Sequence, residues 1–252
     1  MQIQNKSHQR LSDLLCPPEE LAFKVQHLTP ENTEQILGLK NKYAGKRCFI
    51  VGSSPSLDYL NLAKLNHEYT FTVNREYMLK ENGLKHSNFH VMMDANVFED
   101  TDSKWEEINT FTDCLFCYAG MDVPTTKLEP IYFDYKLWRI AKVPCQTDLE
   151  QPLVKYQSSV HFAIQIAAYL GFTKIYLVGI DLRFSALVGH VYPETFGETQ
   201  RQRSHSLKEA ETMLIGIDRC GKFLKSKGIE MYNASPKGIV DCIPRVKYEG
   251  LF

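Results

Sequence analysis

Arg47-Cys-Phe-Ile-Val-Gly-Ser-Ser-Pro-Ser-Leu57, with Phe71-Thr-Val-Asn74 further along, is the stretch that decides how this chain folds. An apolar run (Phe49, Ile50, Val51) stops at Gly52 and gives way to three serines and a proline. A buried parallel strand reads this way when it leaves a sheet in a tight turn and enters a helix. Such a turn offers backbone N–H groups and small hydroxyls to an anion, phosphate above all. A second apolar run, 69–73, ends on the polar amide of Asn74, and ligands of open α/β sheets sit at that carboxyl edge of the strands. The stretch predicts a nucleotide-phosphate site and leaves the nucleotide open.

Outward from it, apolar runs and helical periodicities alternate. Strands are expected at 47–51, 69–73, 89–93, 114–119, 174–179 and 229–233, with an edge strand at 131–135. Helices are expected at 57–65, 75–82, 159–170 and 206–227. That alternation predicts an α/β, Rossmann-like fold: a mostly parallel sheet with helices on both faces. Residues 1–45 read as a short helical N-terminal extension, in which Thr29-Pro30 opens a helix reaching about Tyr43. Residues 46–252 read as a single domain. In the unit from Ser158 to Asp181, Ser158 can cap a nearly all-apolar helix and Gly171 stops it. A buried strand then ends at Gly179-Ile-Asp181. Ser158 and Ser159 should thus point at the same edge as Gly52, Ser53, Ser54 and Ser56.

With 252 residues, 44% of them apolar, the chain can bury one sizeable α/β core. A formal charge of −1 argues against a nucleic-acid partner. No apolar run reaches membrane-spanning length and the first residues lack a signal-peptide layout, so a cytoplasmic protein is expected. Seven cysteines in such a chain imply reduced thiols. Cys114 and Cys117 form a C-x-x-C, but inside an apolar strand and without a second pair at zinc spacing, so core packing is expected and no metal site.

The ordered set Val-Gly-x-x-Pro-Ser-Leu57, Val-Asn74, Ser-Ser159, Leu-Gly-Phe-x-x-Ile-Tyr-Leu-x-Gly-Ile-Asp181 and Ser-His205 resembles two related groups. These are the CMP-sialic acid-dependent sialyltransferases of glycosyltransferase family forty-two and the motility-accessory-factor and MptE-like superfamily. The tail Tyr232-Asn-Ala-Ser-Pro-Lys-Gly-Ile-Val is closer to the second. The resemblance covers about residues 46–248 and implies a GT-A-like variant of the Rossmann-like fold. It implies that Gly52 to Ser56 turn over the nucleotide phosphate and ribose, although the sialyltransferases carry asparagine at Ser53 and glycine at Ser54. It further implies that Asn74 binds the donor, that Asp94 stands where they carry another site asparagine, and that Ser158 and Ser159 cradle the donor's charge. His205 matches their general base.

The chemistry suits these assignments. A departing CMP needs its phosphate stabilised, and an oxocarbenium-like transition state needs only modest deprotonation of the acceptor hydroxyl. A histidine titrating near neutrality can provide that. Tyr192, Arg201 and Arg203, on the irregular segment of about 185–203, can stabilise the phosphate without metal, and the segment reads as a lid. Gly179 and Asp181 complete the expected nucleotide edge.

Blander readings stand beside these. Ser204 or Ser206 with Glu209 resembles a capping box, which would make His205 a cap residue. Asp94 and Asp181 could be turn caps, His161 a core histidine and Tyr192 a packing residue. His190 is a reserve acid or base.

The leading expectation is a metal-independent, inverting glycosyltransferase. It would pass an acidic ulosonic sugar from a CMP donor to a surface glycan, with no cofactor beyond the donor. The alternative is an MptE-like pyrophosphokinase, transferring diphosphate from ATP·Mg to a 6-hydroxymethylpterin, with Asp94 and Asp181 on the metal. A catalytically idle nucleotide-binding protein is the third reading. Peripheral membrane association and homo-oligomerisation are compatible with all three.

Overall fold

Along the first strand the side chains alternate, Phe49 and Val51 entering one apolar cluster and Cys48 and Ile50 another, all fully buried. A strand buried on both sides needs a layer on each face of its sheet. The computed structural model describes residues 18–93, 104–121, 123, 127–182, 189–194, 199 and 207–252. Its main sheet contains β1 (Arg47–Val51), β2 (Thr70–Val73), β3 (Ser87–Met92), β4 (Thr112–Tyr118) and β5 (Ile131–Phe133). β8 (Lys174–Val178) and β9 (Glu230–Asn233) complete it. The spatial order is β5-β4-β3-β2-β1-β8-β9 and every pairing is parallel. A small parallel pair, β6 (Tyr135–Leu137) and β7 (Leu153–Lys155), lies outside it.

From β1 the chain steps outward to β5, then returns and lays β8 on the other side of β1. The order therefore reverses between β1 and β8, and that is where open α/β sheets form a crevice.

The two faces are covered differently. Helices α2 (Pro30–Leu39), α4 (Val160–Tyr169) and α5 (Leu207–Lys225) supply Ile36, Phe162, Ile166, Ile217 and Leu224 to one cluster. On the opposite face, α3 (Trp105–Phe111) is joined by short 3-10 segments at Pro55–Tyr59, Leu62–His67, Glu76–Lys80 and Tyr248–Leu251. Leu57, Leu62, Leu65, Tyr77, Leu79 and Ile108 fill that side. The helices expected at 57–65 and 75–82 are therefore 3-10 turns. Asn61 restarts the chain by accepting from Ala63 N at 3.2 Å, and Gly83, at φ +98°, closes the second. Interrupted in this way, neither segment can propagate an α-helix.

The helix opened by Thr29, whose side chain accepts from Asn32 N, stops at Leu39 rather than Tyr43. Beyond it Asn41, Tyr43 and Gly45 donate to the carbonyls of Tyr169, Leu170 and Gly171, which fixes this segment to the end of α4. Asn32 itself is buried, and its amide donates to Tyr132 O at 2.9 Å while accepting from Tyr132 N at 2.7 Å. Upstream, α1 (Pro18–His27) stacks His27 on Tyr132, and Lys24 pairs with Asp134 at 3.1 Å.

Inside the helical layer, Gln165 is fully buried and fully used. Its Oε1 accepts from Gln146 N and Val154 N, and its Nε2 donates to Val154 O and His161 O. His161 is a core histidine here, donating from Nε2 to Met213 O at 3.0 Å and so tying α4 to α5. Burial lowers its pKa to about 4. Among the described residues, no helix is long and apolar enough to cross a membrane.

Candidate functional site

At the β1–β8 reversal two backbones nearly touch. Gly52 N donates to Val178 O at 2.8 Å, and a Cβ on Gly52 would lie 2.6 Å from Gly179 O. Gly179 holds φ +66° and would drive a Cβ to 2.4 Å from the Leu57 side chain, so both positions require glycine. Ser54 N donates to Gly179 O at 3.0 Å, Asp181 N donates to Ser54 Oγ at 3.1 Å, and Ser56 Oγ donates to Asp181 Oδ1 at 2.6 Å. The serines after β1 thus close on the aspartate after β8, and Ser53, Ser56 and Asp181 are all buried. The tail braces the same point. Ser235 Oγ accepts from Ile180 N at 3.0 Å, and Ile239 N donates to Asp181 O at 2.9 Å. Gly238, at φ +100°, leaves no room for a Cβ against Asp181.

One strand away, Asn74 ends β2 in the left-handed region at φ 52°. Its N–H donates to Val91 O at 3.1 Å and its carbonyl receives His90 Nε2 at 2.8 Å. Because that carbonyl can only accept, the His90 proton sits on Nε2, and Nδ1 accepts from Thr72 Oγ1 at 2.8 Å. Burial lowers the His90 pKa to about 4, which keeps this neutral tautomer at ordinary pH. The relay Thr72–His90–Asn74 holds the asparagine in a conformation that non-glycine residues seldom adopt. Asn74 Oδ1 accepts from Ser159 Oγ at 3.2 Å. Ser158 Oγ meanwhile accepts from Val160 N at 3.3 Å, while Ser159, at the N-cap position of α4, leaves the helix uncapped by its side chain and reaches across to β2.

The third group centres on Arg75, a residue that the sequence reading did not single out. Arg75, directly after Asn74, is buried, and its guanidinium lies 5.5 Å from the centroid of the Tyr192 ring. Tyr192 stacks on His190 at 4.9 Å, and His190 Nδ1 stands 2.8 Å from Glu194 Oε1. Val191 N donates to Ser53 O at 2.7 Å, which lays residues 189–194 against the turn after β1. The signal for Arg75 was in the sequence: it occupies the same strand-end position that singled out Asn74.

Gly52, Ser53, Ser54, Ser56, Gly179 and Asp181 therefore form one hydrogen-bonded group at the reversal. Asn74, Ser158 and Ser159 form a second along the same edge, and Tyr192 reaches it through Arg75. Asp94, Arg201, Arg203 and His205 lie outside the described residues, as does most of the expected lid. Among the described residues, no group of three or more His, Cys, Asp or Glu is placed to hold a metal ion. Cys114 and Cys117 are core thiols on β4; burial pushes Cys114 up to about 12 and Cys117 higher still.

A family model described as 6-hydroxymethylpterin diphosphokinase MptE-like matches residues 25–186, well over half of the chain. The chain belongs to the MptE-like family. The match begins inside the segment read from sequence as lying outside any resemblance, and it takes in the crevice residues from Gly52 to Asp181. Eight chains of solved structures also match. One is a Maf glycosyltransferase from Magnetospirillum magneticum AMB-1, at 18% identity and a TM-score of 0.54. The alignment covers 84% of this chain but 35% of that one, so this MptE-like chain spans about a third of that protein's length and shares its fold. No curated protein matches.

Proposed function

We propose that this MptE-like chain is a nucleotide-dependent transferase acting as a glycosyltransferase. The β1–β8 crevice would hold the CMP of an activated acidic sugar, and the sugar would pass to a glycan acceptor with inversion and without a metal. The observation that carries this reading is the Asn74–Ser159 hydrogen bond one strand from the Gly52–Gly179 approach. It brings a side-chain amide, the N-terminus of a ten-residue helix and a glycine-lined turn to one edge. In the described residues Asn74 Nδ2 has no protein partner and is the donor this edge would present to a ligand.

The reaction assigned to these residues is a substitution at the anomeric carbon. The acceptor oxygen forms the new bond, the bond to the CMP phosphate oxygen breaks, and the acceptor proton passes to His205. The α4 N-terminus and Arg75 would stabilise the charge gathering on the phosphate. Arg201, Arg203 and Tyr192 would close over it. The membership of the MptE-like family and the likeness to a Maf glycosyltransferase both support a transferase on this scaffold.

The family description also favours a second reading, diphosphate transfer from ATP·Mg to a pterin alcohol. Asp181 is a described carboxylate at this edge, with Ser56 Oγ on its side chain and Ile239 N on its carbonyl. Thermal-shift titration separates the two. CMP or CTP should raise Tm in the presence of EDTA, whereas the kinase reading requires ATP with Mg²⁺ to do so. His205→Ala should lower transfer from a CMP-sugar by about 10²- to 10⁴-fold. A wild-type rate in that variant would remove His205 from the mechanism.

A further inference from the structure

The small β6–β7 pair carries a surface that the crevice does not use. From Tyr135 the sequence runs Tyr-Lys-Leu-Trp-Arg-Ile-Ala-Lys142, with a cation at every third position and no carboxylate until Asp148. Leu137 is 49% exposed and Ile140 57% exposed, on either side of the exposed Arg139. Two further cations converge from elsewhere. Lys155, opposite Leu137 in the β6–β7 register, lies 4.5 Å over the Tyr135 ring, and Arg219 of α5 lies 5.0 Å over Trp138. Arg139 approaches the same indole at 5.5 Å. Lys136 is near enough to Lys142 that, after burial, the Lys142 ammonium further depresses its pKa. Asp134, which precedes the run, pairs with Lys24 at 3.1 Å, and Asp218, which precedes Arg219, pairs with Lys222 at 2.7 Å. Like charges are thus gathered around protruding aliphatic side chains in a chain of near-zero net charge.

We propose that this face docks on an anionic lipid surface, with Leu137 and Ile140 entering the headgroup–acyl boundary and Arg139, Lys142, Lys155 and Arg219 facing lipid phosphates. Exposed aliphatic tips ringed by cations fit an interfacial binder, in which apolar insertion and electrostatic attraction add. A single-stranded nucleic acid would instead require open aromatic faces for base stacking. Here Trp138 is stacked on Tyr156 and flanked by two guanidiniums, and Tyr135 packs on Tyr118 and Phe162 beneath Lys155. The inference does not depend on which group the crevice transfers. It does place the surface beside the reacting edge, because β7 leads within a few residues to Ser158 and Ser159.

Co-sedimentation of the full chain with phosphatidylcholine vesicles, with and without phosphatidylglycerol, tests it. Binding is expected only to the vesicles containing phosphatidylglycerol and should weaken as salt rises. Arg139→Gln with Lys142→Gln should cut partitioning roughly 25-fold, at about fivefold for each cation lost. Leu137→Ser with Ile140→Ser should cut it at least tenfold without altering the salt dependence. Circular dichroism and Tm matching wild type confirm that these surface variants are folded. Absence of binding, equal binding to neutral vesicles, or binding indifferent to the aliphatic pair would each overturn the proposal. Heparin or tRNA displacing the chain through the cations alone, with no role for Leu137 or Ile140, would assign the face to a soluble polyanion instead.

Discussion

The two faces of the main sheet are built from different materials. One lies under α2, α4 and α5, whose continuous apolar stripes bury Ile36, Phe162, Ile166 and Ile217. The other lies mostly under short 3-10 segments, each contributing one or two leucines or tyrosines, with α3 as its one α-helix among the described residues. Each face also contains a fully buried neutral histidine. His161 sits within the helical layer, and His90 points toward Phe111 on the turn-covered side. The faces meet at the carboxyl edge, where Ser159 of the helical layer bonds to Asn74 of the sheet, and the turn beginning at Pro55 is locked to Asp181. A long helix brings its own internal hydrogen bonds and a dipole. A 3-10 turn brings neither in strength, so the site residues on the turn-covered side are held by side chains and glycines instead.

The sharpest way to break this arrangement is Gly52→Ala. Its Cβ would meet Gly179 O, a backbone atom with nowhere to retreat, and the variant should lose about 3 kcal/mol or more, or fail to fold. A stability within about 1 kcal/mol of wild type, from urea unfolding, would show that the two loops are not in contact.

Acid comes next. His90 and His161 each have a folded pKa of about 4 against an ordinary 6.5, so the unfolded chain binds more protons between those values. Their contribution is complete above about pH 6.5 and is lost as pH falls toward 4, at up to about 1.4 kcal/mol per pH unit for each histidine. Comparing His90→Gln with His161→Gln, each by its slope of unfolding free energy against pH, shows which face yields first. A slope unchanged in both variants would refute the burial of these imidazoles.

Gln165→Leu should cost about 2–3 kcal/mol, because it strands the N–H groups of Gln146 and Val154 and the carbonyls of Val154 and His161 inside the helical layer. Chemical denaturation reads this directly, and a near-neutral result would mean that water replaces the amide.

The smallest change in stability is expected for Asn74→Gly, within about 1 kcal/mol, since glycine accepts the same φ. The rise in Tm with CMP should nevertheless disappear. If that rise persists, the edge is structural and the ligand binds elsewhere.

What was legible in the sequence follows the same division. The strands were visible as apolar runs ending in Gly52, Asn74 and Gly179, and α4 was visible because eleven nearly all-apolar residues between Ser159 and Gly171 admit little else. The turn-covered side was misjudged because Leu57, Leu62 and Leu65 mimic helical spacing. A restart at Asn61 is local chemistry that periodicity does not register. α3 passed unnoticed at seven residues, too short for its apolar spacing to stand out. At the site, glycines and strand-end polar residues announced themselves, whereas Arg75 and His90 did not. Arg75 follows a strand-end asparagine that drew the attention to itself, and His90 sits inside a strand with no local pattern. Its role comes only from where Thr72 and Asn74 lie on the neighbouring strand.

The paired hydrogen bonds between Asn32 and Tyr132 have a consequence for solubility. β5 is the outermost strand of a parallel sheet, the kind of border on which another chain can add itself and start a fibril or a swapped dimer. A lone carboxamide imitates one residue of an incoming neighbour and occupies the rung at Tyr132, while the helix bearing it stands guard over the rest of the rim. The leading segment of this chain is therefore a stopper as much as a support.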